Sequence, residues 1–127
     1  MPRPSRSDPP AQTSLRVDVQ RGPAPSAARV RAAGEMDLAT APVLQAELDA
    51  LLAGGYCHLD LDLGAVSFCD VAGLNMLLRV HAAAVAAGGH LHLHHSCPTL
   101  RTMLRVLRLE RVFEPIARSG RPAGDEA

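Results

Sequence analysis

The chain has 127 residues, a formal net charge of zero and almost no aromatic side chains, namely Tyr56, Phe68 and Phe113. That length suits one small domain with a single core of Leu, Val and Ala. The charge balance excludes long-range steering toward nucleic acid or an anionic membrane, and the scarcity of aromatics excludes base stacking as a binding mode.

All thirteen basic residues are Arg, which beside so much Ala reads as composition bias rather than function. Cys57, Cys69 and Cys97 lack metal-type spacing and are expected as free thiols in a reducing cytosol. The N-terminus shows no basic-then-apolar signal pattern, and the most apolar helical stretch carries Asn75, Arg79 and His81, so no membrane span is expected. These features predict a soluble cytoplasmic domain.

Residues 1–12 are Pro, Ser and charge without apolar period, a disordered lead-in. Leu15, Val17 and Val19 alternate with Arg16, Asp18 and Gln20 as a half-buried strand. A turn at Arg21–Ser26 leads to a second strand, Ala28–Ala33, paired back as a hairpin and closed by Gly34-Glu35-Met36-Asp37. Thr40 is placed as an N-cap with Pro42 in the first turn, and Val43, Leu44, Leu48, Leu51 and Leu52 form the stripe of a helix that stops at Gly54-Gly55. Cys57–Leu63 alternates again, with Leu59, Leu61 and Leu63 opposite His58, Asp60 and Asp62.

The junction Gly64–Arg79 organises the chain. Asp70 falls at an N-cap, where its carboxylate accepts first-turn N–H groups and suits the helix dipole. Gly73 costs helix stability there and implies a close approach to the backbone. The helix is expected from Val71 to Ala87, ending at Gly88-Gly89. A wheel puts Leu74, Leu77, Leu78, His81 and Val85 on the core stripe, Asn75 and Arg79 in a polar band, and Ala72, Met76, Val80, Ala83 and Ala87 on an exposed apolar arc. Either these are ordinary helix-forming alanines with scattered apolar neighbours, or the arc is a docking surface for another protein.

His90–His94 alternates as a further strand. Ser96-Cys97-Pro98 caps a third helix to about Leu107, with Leu100, Met103, Leu104 and Leu107 on its apolar face. Val112–Ile116 reads as a short closing strand or irregular segment, and 118–127 as a disordered polar tail. The domain proper is therefore placed at 13–117, an α/β layer with a mixed sheet of four to five strands and helices mainly on one face.

Other clusters carry less. His90, His92 and His94 share a strand face beside His95 and Cys97, but residues two apart on a strand are roughly 6.5–7 Å apart, long for one shared ion; no metal site is assigned. Asp60 and Asp62 lack a neighbouring base or nucleophile and read as a solvated face. His81 reads as a buried histidine held by a hydrogen bond. Arg101, Arg105 and Arg108 form a solvated ridge, Cys69 before the N-cap is a candidate for an activated thiol, and no Gly-rich phosphate loop is present.

Several words in order carry a family likeness: Gly34-Glu35-Met36-Asp37-Leu38-Ala39-Thr40-Ala41-Pro42, then His58–Leu63 running into Val66-Ser67-Phe68-Cys69-Asp70-Val71-Ala72-Gly73-Leu74, then Gly88–Leu93 and Leu107–Phe113. On these the chain resembles STAS-domain proteins, specifically bacterial anti-sigma factor antagonists. The resemblance implies a non-enzymatic protein without cofactor that binds an anti-sigma factor of the histidine-kinase-like ATPase type and frees a sigma factor. In such proteins that kinase phosphorylates a Ser or Thr in an Asp-Ser-Ser-Gly or Asp-Ser-Thr-Gly word, and phosphorylation releases the antagonist. Asp70 and Gly73 match the word's ends and Ala72 stands at the acceptor position, so this sequence lacks the usual phospho-switch. The partner-binding residues are placed at Asp70, Val71, Ala72, Gly73, Asn75, Met76 and Val80, with Ala83 extending the face and the Gly34–Thr40 turn flanking it. Ser67 is the nearest alternative hydroxyl. The alternative function is a STAS ligand- or nucleotide-sensing module, or a structural subunit of another complex such as a transporter assembly.

Overall fold

The computed structural model of the chain describes residues 14–22 and 24–114; the tails expected at 1–12 and 118–127 lie outside them. Within that span the order is β1 (Leu15–Arg21), β2 (Ala27–Met36), α1 (Ala41–Ala53), β3 (His58–Cys69), α2 (Val71–Ala86), β4 (His90–His94) and α3 (Pro98–Val106). The sheet runs β1-β2-β3-β4. Its first pair is antiparallel, the hairpin expected from the short turn, and the other two are parallel. Two parallel neighbours joined in sequence require crossovers of one hand, which places α1 and α2 on the same face. They pack against each other there.

Alternation decides what each strand buries. Ala28, Val30 and Ala32 on β2, Leu59, Leu61 and Leu63 on β3 and Leu91 on β4 join Leu44, Leu48 and Leu51 of α1 and Leu100 and Leu104 of α3 in one core. The other face carries Arg29, Arg31, Asp60 and Asp62. There Arg31 Nε lies 3.8 Å from Asp62 Oδ2, His94 Nε2 lies 3.2 Å from Asp60 Oδ1 and His95 Nδ1 lies 3.3 Å from Asp62 Oδ1. The Gly64 N–H, donating to Asp62 at 2.8 Å, is the leading cause that holds the Asp62 carboxyl below the usual range. His94 at the end of β4 and His95 just after it thus answer the two acids.

Both central strands are longer than the sequence predicts. β2 continues to Met36 and gives Gly64–Cys69 a partner, so the expected junction is strand: Ala33 pairs with Ala65, Gly34 with Val66, Glu35 with Phe68 and Met36 with Cys69, with two register shifts. Gly34 sits at this irregularity with φ 123°, and a Cβ there would collide with the Ser14 carbonyl oxygen. Leu107 and Val43, expected on apolar stripes, are 55% and 47% exposed. Val112 and Phe113 lie in a turn rather than a strand, with Phe113 buried; Pro115 and Ile116 lie outside the described residues.

The largest correction concerns α2. Its buried set is Gly73, Leu74, Met76, Leu77, Val80 and Ala84, and its exposed residues are Val71, Asn75, Arg79, Ala82, Ala83, Val85 and Ala86. The buried arc is turned by about one residue from the expected stripe, roughly 100° at 3.6 residues per turn: Leu74 and Leu77 are buried and Ala83 is exposed as expected, whereas Met76 and Val80 are buried and Val85 is exposed. The cause is α1: α2 is covered by the sheet and also flanked by a helix, so the arc holding Met76 and Val80 is packed. Arg79 Nη2 donates across the top of that contact to Gln45 Oε1 at 3.2 Å.

Candidate functional site

Parallel pairing brings the C-terminal ends of β2 and β3 to one end of the sheet, where the 37–40 turn and the start of α2 also lie. The turn is knit by two side chains. Asp37 Oδ1 accepts the N–H groups of Ala39 and Thr40, each at 3.0 Å. The Thr40 hydroxyl donates to the Glu35 carbonyl at 2.6 Å and accepts the Asp37 N–H at 2.9 Å. Thr40 therefore stands at the α1 N-cap position without capping through its side chain; its hydroxyl is used inside the turn, which explains why it is buried at 5% exposure.

The α2 start behaves as the sequence predicts. Asp70 is extended, with φ −105° and ψ −171°, and its Oδ1 accepts the Gly73 N–H at 3.2 Å. Its own N–H donates to the Met36 carbonyl at 3.2 Å, fixing the helix start to the end of β2. The close approach implied by Gly73 is internal: a Cβ there would meet Cys69 Sγ at 2.8 Å and the Met36 carbonyl oxygen at 3.1 Å. Cys69 is buried, and burial first, with Cys97 and Asp70 adding, pushes its thiol up to about 12. The expected activation of Cys69 is overturned, because desolvation outweighs the nearby helix start.

Of the sequence-derived site residues, Asp70 and Ala72 are partly exposed, Val71 and Asn75 are exposed, and Gly73, Met76 and Val80 are buried. Met76 at 0% and Val80 at 1% exposure cannot present a surface to a partner. What the end does present includes two side chains absent from that set: Leu38 is 77% and Phe68 42% exposed, beside Val71 at 60%. Three exposed apolar side chains thus come from the three segments that meet at this end, the 37–40 turn, the end of β3 and the start of α2. The one signal for Phe68 in the sequence is its being one of three aromatics, set two residues before the Asp70 cap. Ser67 is exposed, and its hydroxyl donates to the Gly34 carbonyl at 3.3 Å. None of the described helices is long and apolar enough to cross a membrane, and no group of three or more His, Cys, Asp or Glu among the described residues is arranged to hold a metal ion.

The family model described as "Mlab, STAS domain" matches residues 13–115. No curated protein matches the sequence. Among solved structures, the chain is similar to an anti-sigma factor antagonist from Mycobacterium paratuberculosis, with 25% identity over 86% of this chain and 92% of that one, at a TM-score of 0.71. It is similar to the phosphorylated form of the Bacillus cell fate determinant SpoIIAA, with 18% identity over 77% and 86% of the two chains and a TM-score of 0.62. It is also similar to a part of the murine Solute Carrier 26 family member A9 anion transporter, with 16% identity, a TM-score of 0.58 and coverage of 73% of this chain but 17% of that one. The latter two are likenesses of fold.

Proposed function

Since the chain belongs to the STAS-domain family, we propose that it is an anti-sigma factor antagonist without a phospho-switch: a cytoplasmic, non-enzymatic protein that docks on an anti-sigma factor of the histidine-kinase-like ATPase type and so frees a sigma factor. The likeness to an anti-sigma factor antagonist over most of both chains supports this partner class. The docking face is the end of the sheet that carries Leu38, Phe68, Asp70, Val71, Ala72 and Asn75, with the 37–40 turn as its flank.

The observation that carries the reading is Ala72, partly exposed in the first turn of α2 beside the capping Asp70. A phosphate on a hydroxyl at this position would add nearly two negative charges next to the Asp70 carboxylate, and repulsion and desolvation would then oppose docking. Neither Val71 nor Ala72 can take one. The small apolar surface is permanent, and binding is constitutive or competes with phosphorylatable relatives.

Ala72→Asp places a charge where the phosphate would sit. Calorimetric titration against the anti-sigma ATPase of the same genome should show affinity falling by about ten-fold or more, a change of roughly 1.4 kcal/mol or more, with an unchanged melting temperature. Equal affinity would remove this face from the proposal. Incubating the parent protein with that ATPase and ATP should leave residues 64–79 unmodified by mass spectrometry; phosphate on Ser67 would overturn the missing switch.

A further inference from the structure

β4 ends the sheet, and an uncovered edge strand offers its N–H groups to any passing chain. Here the outward groups are taken. The Leu91 N–H donates to His81 Nδ1 at 3.4 Å, and the Leu93 N–H donates to the Phe113 carbonyl at 3.1 Å. Phe113 is 3% exposed, and its ring centroid lies 5.4 Å from that of His81. His81 is in turn 4.5 Å from His90, and His90 is 4.5 Å from His92. His90 Nε2 and His92 Nδ1 are buried with no hydrogen-bond partner among the described residues.

We propose that the 109–114 segment is a pH-operated strap, closed over the β4 edge while His81 and His92 are neutral and released when they take up protons. A ring nitrogen that accepts a hydrogen bond carries no proton, so charging His81 at Nδ1 deletes the acceptor for Leu91. Charging His92 puts a cation on a ring whose buried Nδ1 has no partner among the described residues, with the Glu114 main chain and Asp60 only partly offsetting that cost. Charge on both rings would meet across the His90 ring, which lies 4.5 Å from each.

The surroundings favour the neutral form. Burial first, then His90 and His92, holds His81 below the usual imidazole range. His92 is lowered by burial first and then by His90, with His94 adding and with Asp60 and the Glu114 main chain opposing. From the neighbouring elements, His58 of β3 stands opposite His90 in register, while Arg101 and Arg105 of α3 share a crevice with Glu110, Phe113 and Glu114. Arg111 completes the charged set on the segment itself. Histidine is the side chain whose ordinary pKa falls between pH 7.5 and 5.5. The sign follows: the closed form binds fewer protons than the open one, closure is complete above the ordinary histidine pKa of about 6.5, and it is lost as pH falls below that value.

Amide hydrogen exchange on the full chain tests this. After correction for intrinsic exchange, protection at Leu91 and Leu93 should fall between pH 7.5 and 5.5 by up to about ten-fold for each histidine charged on opening. Leu59 and Leu61 of β3 should keep theirs. The variant His81→Gln with His92→Gln retains an acceptor at residue 81 and cannot charge at either position, so its protection should be flat across this range. Unchanged protection at Leu93 in the parent would overturn the strap, and so would an equal fall at Leu59 and Leu61, which signals global unfolding. Because the parent alone decides between these outcomes, a variant that does not fold leaves the test intact.

Discussion

From Val71 to Val80, helix α2 buries Gly73, Leu74, Met76, Leu77 and Val80; from His81 onward, Ala84 is what it buries, and it leans instead on His90 and the Phe113 ring. The first half is held by dry apolar contact, an Asp70 cap and a helix start hydrogen-bonded to the end of β2. The second half is held by half-buried imidazoles with orphaned nitrogens. One helix therefore has a capped, apolar end beside the proposed docking face and a histidine-lined end at the sheet edge. A docking surface loses least affinity when it is preorganised, and a responsive element must come from the less stable part of a fold. The division suits both proposed roles.

Removing core from the first half should have the largest effect on stability. Leu77 is 0% exposed, and Leu77→Ala should cost about 2–5 kcal/mol, the lost transfer energy plus a cavity, measured as a lower urea midpoint at unchanged slope. A cost under about 1 kcal/mol would mean that this half is not the anchor. Gly73→Ala comes next. Alanine favours helix by up to about 1 kcal/mol, but its Cβ would sit 2.8 Å from Cys69 Sγ and 3.1 Å from both Met36 Cγ and its carbonyl oxygen. Overpacking of this kind costs about 1–3 kcal/mol, so the sign should be destabilising. Adding Cys69→Ala should recover part of the loss in a double-mutant cycle; no coupling between the two would show that the first turn has slack.

The strands and the capped junction were legible in the sequence because period-two alternation and an Asp before an apolar run are local signals. Asp60 and Asp62 stand opposite Leu59, Leu61 and Leu63 as their alternation requires. The strand lengths were not legible: Gly64–Cys69 becomes strand because β2 continues alongside it, which is a long-range fact. The face of α2 was misplaced because Met76, Val80, Ala82, Ala83 and Val85 make it apolar nearly all round, so periodicity alone cannot say which arc meets α1. Asn75 and Arg79, one turn apart, held the answer as the centre of the solvent ridge. The two buried residues wrongly assigned to the docking face, Met76 and Val80, follow from that single rotation. Leu38 and Phe68 were missed for a different reason: their exposure depends on where a turn and a strand end meet in space.

Val85 gives the smallest expected effect and the finest test of the rotation. The sequence places it on the core stripe with Leu74 and Leu77, whereas the fold leaves it 50% exposed and buries Val80 to 1%. Val85→Ala removes two carbons that are half in water already, and alanine is the better helix former by a few tenths of a kcal/mol. The two contributions oppose each other, and the net change should lie within about 0.5 kcal/mol of the parent in urea unfolding. A loss near 2 kcal/mol, at roughly 0.8 kcal/mol or more for each buried carbon removed, would place Val85 in the core. It would then turn α2 back by one residue, return Met76 to the surface and restore it to the docking face.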